Sequence, residues 1–322
     1  MFHEAMKILI TGGAGFIGSA VAKKLIERGD KVVIIDNFND YYDPQLKRDR
    51  LKHVLKGKKY KLYKGDIRDE KLLEKIFKTE KLDKIIHLAA MAGVRSSILM
   101  PKLYEEVNIR GTMNLLELAV KYKIKNFIFA SSSSVYGTNK KVPYSETDNV
   151  DAQISPYAAT KKATELIAHV YAHLYGLKVT ALRFFTVYGP WGRPDMGVFK
   201  FIENILQGKT VEIFNYGKMR RNFTYIDDIV SGTITVLDAD LPYGVMNIGG
   251  DRDEALMDYI GAIERYTGIT AKKKMLPMQP GDVPRTVADI RKLKKLGWKP
   301  TTRIEAGIKN FVEWYKEYYK VK

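Results

Sequence analysis

Tyr157 and Lys161 stand four residues apart behind a Ser155-Pro156 pair, a spacing that can support proton transfer. Ser155 is a suitable N-cap and Pro156 suits a first helical turn, so the segment reads as the start of a helix. On a helix both side chains share one face. A tyrosine hydroxyl titrates near about 10 and is a poor base at neutral pH, but an adjacent ammonium favours the phenolate. Tyr-x-x-x-Lys is common by chance and gains meaning from its company. Upstream, Ser131-Ser132-Ser133-Ser134-Val135-Tyr136-Gly137 closes a strand-like segment.

A second constellation is Thr11-Gly12-Gly13-Ala14-Gly15-Phe16-Ile17-Gly18, between a strand-like and a helix-like stretch. Gly12 lets the chain turn, Gly15 lets backbone approach a pyrophosphate, and Gly18 lets helix pack on strand. Phe16 and Ile17 open the helix, whose free N–H groups and positive dipole end suit phosphates. Asp36 ends the next strand, where a carboxylate accepts ribose hydroxyls and repels a 2′-phosphate. NAD is therefore expected over NADP, and an oxidised nicotinamide would favour a Tyr157 phenolate further.

These groups need a scaffold that gathers strand ends. Residues 7–11, 31–36, 60–64, 84–88, 126–131 and 178–184 read as strands, and 16–28, 71–79, 103–122 and 156–175 as helices. The alternation implies an α/β fold, a Rossmann-type doubly wound parallel sheet covered by helices on both faces. After Phe185 the pattern turns irregular and Gly-Pro-rich, with short strands at 211–214, 224–226 and 246–248. The expected organisation is an NAD-binding domain over 1–185 and a smaller α/β substrate lobe over 186–322, with some segments returning to the first. A closing helix over 302–319 places Ile304, Ile308, Phe311, Val312, Tyr315 and Tyr319 on one stripe, read as core.

At 322 residues, 45% hydrophobic and 28% charged, the chain is an ordinary globular one, long enough for one large unit or two fused. It has no cysteine, which excludes a disulfide scaffold, a thiolate metal site and a cysteine nucleophile and fits a reducing cytoplasm, the expected location. No apolar run approaches the ~18 residues that span a bilayer, and the start, MFHEAMKILI, runs straight into a strand with no room for a signal peptide. No membrane partner is expected. Lys and Arg number 54 against 37 Asp and Glu, a net +17. The excess is scattered lysine without a nucleic-acid-binding pattern, so it reads as a field for an anionic substrate, with no specific nucleic acid as partner. His169 and His173 have metal-ligand spacing, but Val170 stands where a metalloprotease needs glutamate. No metal is expected.

With these motifs nearly the whole chain resembles the extended short-chain dehydrogenase/reductase superfamily. Within it, Asp36-Asn37-Phe38-Asn39-Asp40-Tyr41-Tyr42-Asp43-Pro44 is similar to the signature of UDP-glucuronate 4-epimerases. So are Ala92-Gly93-Val94-Arg95, the serine run, the stretch from Arg183-Phe184-Phe185-Thr186 to Asp195-Met196, and Gln279-Pro280-Gly281-Asp282-Val283.

The resemblance implies epimerisation through a 4-keto sugar with tightly held NAD and no net redox. Tyr157 takes the proton of the sugar 4-hydroxyl, Ser132 relays or orients it, and Lys161 holds the cofactor ribose. Asp36 and Asn37 belong to the cofactor site, Asp66-Ile67 resembles its adenine edge, and Leu88-Ala89-Ala90 the wall near pyrophosphate and ribose. Decarboxylating relatives carry a glutamate where Ser134 stands, and sugar dehydratases an acidic pair where Ser133-Ser134 stand. Ser133, Ser134 and Thr186 are thus expected to hold the sugar carboxylate, with Arg193 supplying charge. Arg221 and Asp282 are similar to positions contacting phosphate and ribose of UDP, and Arg285 is a further candidate for the diphosphate. Two departures stand out: Met91 replaces a glutamine, and Asn222 interrupts Arg-Asp-Phe-Thr-Tyr and removes a partner of Arg221. The resemblance also implies a homodimer built from the helices at 103–122 and 156–175. Three other readings stay open: a 4-epimerase of neutral UDP-hexoses such as UDP-glucose, a UDP-glucuronate decarboxylase, and a non-catalytic NAD-binding module. Whether residues 39–59 close over the substrate is undecided at this level.

Overall fold

In Lys7–Thr11 (β1) the fully buried Ile8 and Ile10 belong to one core and the fully buried Leu9 to another. A strand apolar on both faces needs cover on both, which is the condition of a parallel sheet. A computed structural model, describing residues 4–279 and 281–321, provides that cover. Pro280 of the expected 279–283 motif lies outside the described residues.

The sheet continues through Lys31–Asp36 (β2), Lys61–Lys64 (β3), Lys84–His87 (β4), Asn126–Ser132 (β5) and Val179–Phe184 (β6), and a seventh strand, Tyr243–Ile248, pairs with β6. The seven are parallel, with β1 in the interior between β2 and β4. The chain thus departs from β1 in both directions, and such a switch point opens a crevice at the carboxyl ends of the strands. Phe16–Arg28 (α1) and the helix Ile226–Ala239 pack on one face. Pro44–Val54 (α2) lies in the 37–59 connection, its first turn capped by Asp43, which accepts the Gln45 amide at 2.8 Å. Glu70–Glu80 (α3), Val94–Leu99 (α4), Pro101–Tyr104 (α5), Gly111–Lys121 (α6) and Pro156–Tyr175 (α7) lie between β3 and β6, and α3, α6 and α7 cover the opposite face.

Three expectations change. The helix read over 103–122 is interrupted: between α5 and α6, Glu105–Arg110 forms a π-helical turn. Its wide turn turns the buried Asn108 inward, where the amide clamps both backbone groups of Met91 (2.8 and 3.0 Å) and donates to Thr160. Such turns recur at functional sites. The strand read at 246–248 begins at Tyr243 and joins the main sheet. The last helix, Ile304–Tyr319, starts late because the amides of Thr301 and Thr302 donate to the Asp228 carboxylate at 2.8 and 3.1 Å. Its stripe is buried at Ile304, Ile308, Phe311, Val312 and Tyr315, while Tyr319 is 41% exposed. Beyond β6 the short strands pair among themselves: Arg220–Arg221 with Glu254–Ala255 and Arg285–Thr286, and Thr210–Ile213 with Lys272–Met275. Among the described residues no helix is long and apolar enough to cross a membrane.

Candidate active site

Glycine 12 sits at φ +67°, and a Cβ there would lie 2.8 Å from the Ala89 amide nitrogen. A Cβ on Gly18 would lie 2.2 Å from the Gly12 carbonyl oxygen, so α1 can approach the turn only without a side chain. The turn and the α1 N-terminus open onto a cavity of about 400 Å³ at the carboxyl ends of the strands. Its wall includes Gly12, Gly15, Phe16, Ile17, Gly18, Asp36, Asn37, Asp66, Ile67, Leu88, Ala89 and Ala90, together with Ser132, Ser133, Ser134, Tyr157, Lys161, Thr186 and Arg193. Residues distant in sequence thus share one space.

Asp36 is held in place at the end of β2: its carboxylate accepts the Ala14 amide at 3.1 Å and the Phe38 amide at 2.9 Å. The buried Lys47 of α2 lies 3.8 Å from it and donates to Asn39. Burial lowers the Lys47 pKa and Asp36 opposes that shift, while Arg50 and Arg193 add to it. Asp66 accepts from Asn37 at 2.9 Å and from Arg68 at 2.9 and 3.0 Å. Burial pushes its carboxyl up, but these hydrogen bonds outweigh it and hold the group at about 2.

Tyr157 stands in the first turn of α7, where Ser155 caps the helix by accepting the Ala158 amide at 3.2 Å. Its phenol is partly buried, and desolvation raises its pKa; a hydrogen bond from Ser132 and the charge of Arg193 pull it back, and Tyr41 opposes them. One turn on, the Lys161 ammonium donates to the Ala130 carbonyl at 2.7 Å. Burial lowers Lys161 to about 8, against the stabilising carboxylate of Glu165. In the protein alone the Arg193 charge thus favours the phenolate. Ser132 caps the turn after β5, accepts the Ser134 amide at 3.1 Å and shares a hydrogen bond with the Ser134 hydroxyl at 3.2 Å, where Ser134 donates whenever the Ser132 proton goes to the phenol. Arg193 donates to Asp195 at 3.0 and 2.5 Å and to the Ala92 carbonyl at 3.1 Å, with its guanidinium 5.7 Å from the centre of the Tyr41 ring.

Arg221, Asp282 and Arg285 are not part of this wall. Arg221 pairs with Asp282 at 2.9 Å, and Arg285 with Asp253 at 2.7 Å. Asn222, read as a lost partner of Arg221, is fully buried and bonds the Arg252 carbonyl and the Ala288 amide, so it clips backbone together. Met91 is buried and contributes its backbone to the Asn108 clamp. The ring of His169 packs edge-on against Tyr243 at 4.8 Å, and no group of three or more His, Cys, Asp or Glu that could hold a metal occurs among the described residues.

Sequence reasoning missed His87. The ring is buried between Thr11 (2.6 Å at Nδ1) and Thr112 (2.9 Å at Nε2). Thr112 gives its own proton to the Asn108 carbonyl, so it accepts from His87 Nε2–H, and Nδ1 accepts the Thr11 hydroxyl proton. Thr11 in turn accepts the amides of Leu88 and Ala89, which fixes the wall behind the cofactor turn. Tyr41, Tyr42 and Lys47 on the wall were also missed; the two tyrosines lay within a quoted motif that carried no assigned role for them, and Lys47 three residues beyond its end.

A doubly wound sheet whose central switch point carries a glycine turn, a serine and a Tyr-x-x-x-Lys helix defines an extended short-chain dehydrogenase/reductase. The chain belongs to the GDP-mannose 4,6 dehydratase family, whose model matches residues 9–311. It is 47% identical to UDP-glucuronate 4-epimerase 4 of Arabidopsis thaliana over 98% of this chain and 77% of that protein. The UDP-glucuronic acid 4-epimerase of Bacillus cereus, solved with UDP-glucuronic acid and NAD, superposes with a TM-score of 0.89 at 35% identity, over 98% of this chain and 100% of that one. The UDP-glucose 4-epimerase of Thermotoga maritima, solved with UDP-glucose, matches with the same score, identity and coverage.

Proposed function

We infer that this protein interconverts UDP-glucuronate and UDP-galacturonate, using NAD as a resident cofactor. The observation that carries the reading is the meeting of the Tyr157 phenol, its Ser132 partner and the Lys161 ammonium with a pyrophosphate-type glycine turn in one cavity. The cradle fits a dinucleotide: two positions exclude a side chain, the α1 N-terminus faces the same space, and Asp36 is fixed where a ribose hydroxyl would be accepted. Gly12, Gly15, Phe16, Ile17, Gly18, Asp36, Asn37, Asp66, Ile67, Leu88, Ala89, Ala90 and Lys161 would hold the cofactor. When bound, NAD supplies the chemistry of accepting hydrogen from C4 of the sugar and returning it to the opposite face.

The protein's own groups do the rest. Tyr157 takes the proton of the 4-hydroxyl and gives it back, with Ser132 relaying it along a hydrogen bond that stabilises the phenolate. Arg193 adds positive charge beside the phenol and beside the sugar carboxylate. Ser133, Ser134 and Thr186 donate to the sugar carboxylate and hold it away from the plane in which a β-keto acid loses carbon dioxide. Arg221, Asp282 and Arg285 are kept for the diphosphate and its ribose; they stand outside the cavity wall as ion pairs that the nucleotide would have to open. The proposal assigns residues 1–185 to the cofactor and 186–322 to the sugar nucleotide, with the strand Tyr243–Ile248 serving the first sheet. Cytoplasmic residence belongs to the same reading and is supported by the cysteine-free composition.

The proposal includes a homodimer. On α7, Leu166, Val170 and Leu174 form an exposed stripe at helical spacing, and Leu99 at the end of α4 is 82% exposed. An apolar face of this kind marks an interface, and it lies on one of the helices expected to build the dimer. Sedimentation measures it; a monomer throughout the working concentration range removes this part of the proposal.

The test of function is incubation of purified protein with UDP-glucuronate and no added cofactor, followed by NMR. UDP-galacturonate is the expected product. Turnover of UDP-glucose in preference to UDP-glucuronate would replace the reading with a neutral-hexose epimerase, a UDP-pentose product with a decarboxylase, and no turnover even with added NAD with a binding module.

A further inference from the structure

We propose that Arg50, which is not part of the cavity wall, is the positioning residue that holds Arg193 toward the sugar, and that residues 37–59 form a fixed wall of the site and not a lid. The inference rests on the proposed reading of Arg193 as the charge beside the sugar carboxylate.

Arg50 lies on α2 and is fully buried. Among the described residues no carboxylate pairs with it. Its guanidinium donates to the Trp191 carbonyl at 2.9 Å, to the Gly192 carbonyl at 3.1 Å and to the Tyr42 hydroxyl at 2.6 Å. A buried cation without a counterion is costly, and here its donors are matched to the two carbonyls that immediately precede Arg193. Trp191 is at φ +65°, a left-handed conformation that a bulky side chain holds only when its surroundings impose it. Arg50 fixes its carbonyl, and the rings of His53, Trp314 and Tyr318 enclose its indole at 5.7, 5.2 and 5.0 Å.

The same helix is fastened at a further point. Asp49 accepts the Tyr318 hydroxyl at 2.6 Å, so residues 49, 50 and 53 lock α2 to the Trp191 loop and to the C-terminal helix together. The segment therefore carries Tyr41, Tyr42 and Lys47 to the cavity on a base that is packed from behind. Arg193 emerges from that base already aimed, with Asp195 and Ala92 taking the donors on Nε and Nη2. Preorganised charge of this kind is worth most where its supports cannot relax.

Isothermal titration of the purified protein, carrying the cofactor it retains, measures affinity for UDP-glucuronate, UDP-glucose and UDP. Wild type is expected to prefer the carboxylate sugar. Arg193→Gln and Arg50→Lys each reduce that preference about tenfold or more, the double variant reduces it no further, and UDP affinity stays unchanged. A wild type without the preference overturns the reading of the sugar site itself. A wild type that has it, with Arg193→Gln losing it and Arg50→Lys keeping it, or with additive losses, overturns the role of Arg50 alone. Hydrogen exchange of the wild type provides a readout independent of any variant: amides of residues 44–54 are expected to be protected to the same extent with and without UDP-glucuronate. Protection that rises about tenfold or more on binding makes the segment a lid and sinks the proposal.

Discussion

The ammonium of Lys161 donates to the carbonyl of Ala130 at 2.7 Å, tying α7 to β5 beside the Tyr157 phenol. Burial brings this lysine to about 8, with Glu165 resisting the shift. The cation is therefore present below that pH and lost above it. The phenol behaves oppositely: burial raises it, so its phenolate grows with pH. The kcat/KM profile is expected to climb with pH and to level off near about pH 8, where the loss of the ammonium cancels the growing phenolate. In Lys161→Arg the charge persists, and the climb continues to higher pH even if the rate drops. A plateau that stays in place assigns it to another group.

Thr11 and Thr112 fix the His87 ring as a neutral imidazole. Burial lowers its pKa to about 3, and the Lys161 charge adds to that. In the unfolded chain the ring titrates near about 6.5. Its contribution to stability is thus complete above the unfolded value and is lost as pH falls from there toward the folded one. Denaturant titrations at about pH 7 and pH 5 are expected to differ by about 2 kcal/mol more in wild type than in His87→Gln. Equal differences would mean that the ring protonates within the fold.

Helix α1 meets the cofactor turn with no room for a methyl group at Gly18. The obstruction is the Gly12 carbonyl oxygen, which is backbone and cannot swing aside. Gly18→Ala is expected to cost about 1–3 kcal/mol in stability and to release the dinucleotide on gel filtration. Full retention of nicotinamide absorbance by the variant would show that the turn has slack.

The legible part of this protein was local. The glycine turn, the capped start of α7 and the strands around β1 follow from patterns within a few residues, and the described structure contains all of them. What escaped depends on contacts far apart in sequence. His87 has significance only once Thr11 and Thr112 flank it. The π turn at Glu105–Arg110 follows from Asn108 reaching Met91 and Thr160, which no periodicity reports. Arg221 resembles a phosphate ligand in sequence, and only the fold shows that Asp282 pairs with it across 61 residues.

The serine turn after β5 lends itself to a change of product. Oxidation at C4 makes a glucuronate a β-keto acid, and such an acid loses carbon dioxide when its carboxyl bond aligns with the carbonyl π system. Here the wall holds Ser133, Ser134 and Thr186, neutral groups able to donate to a carboxylate and hold it out of alignment. A glutamate at 134 would instead repel the sugar carboxylate, as the resemblance to decarboxylating relatives implies. The Ser134 amide, which donates to Ser132 at 3.1 Å, remains in Ser134→Glu, so the turn and the Tyr157 partner stay in place. This variant is expected to release UDP-pentose alongside residual epimerisation, and Thr186→Ala to do so to a smaller extent. NMR of the products with labelled C6 measures both, the label leaving as carbon dioxide. If the label stays on the sugar in both variants, the carboxylate is restrained by some other part of the cavity.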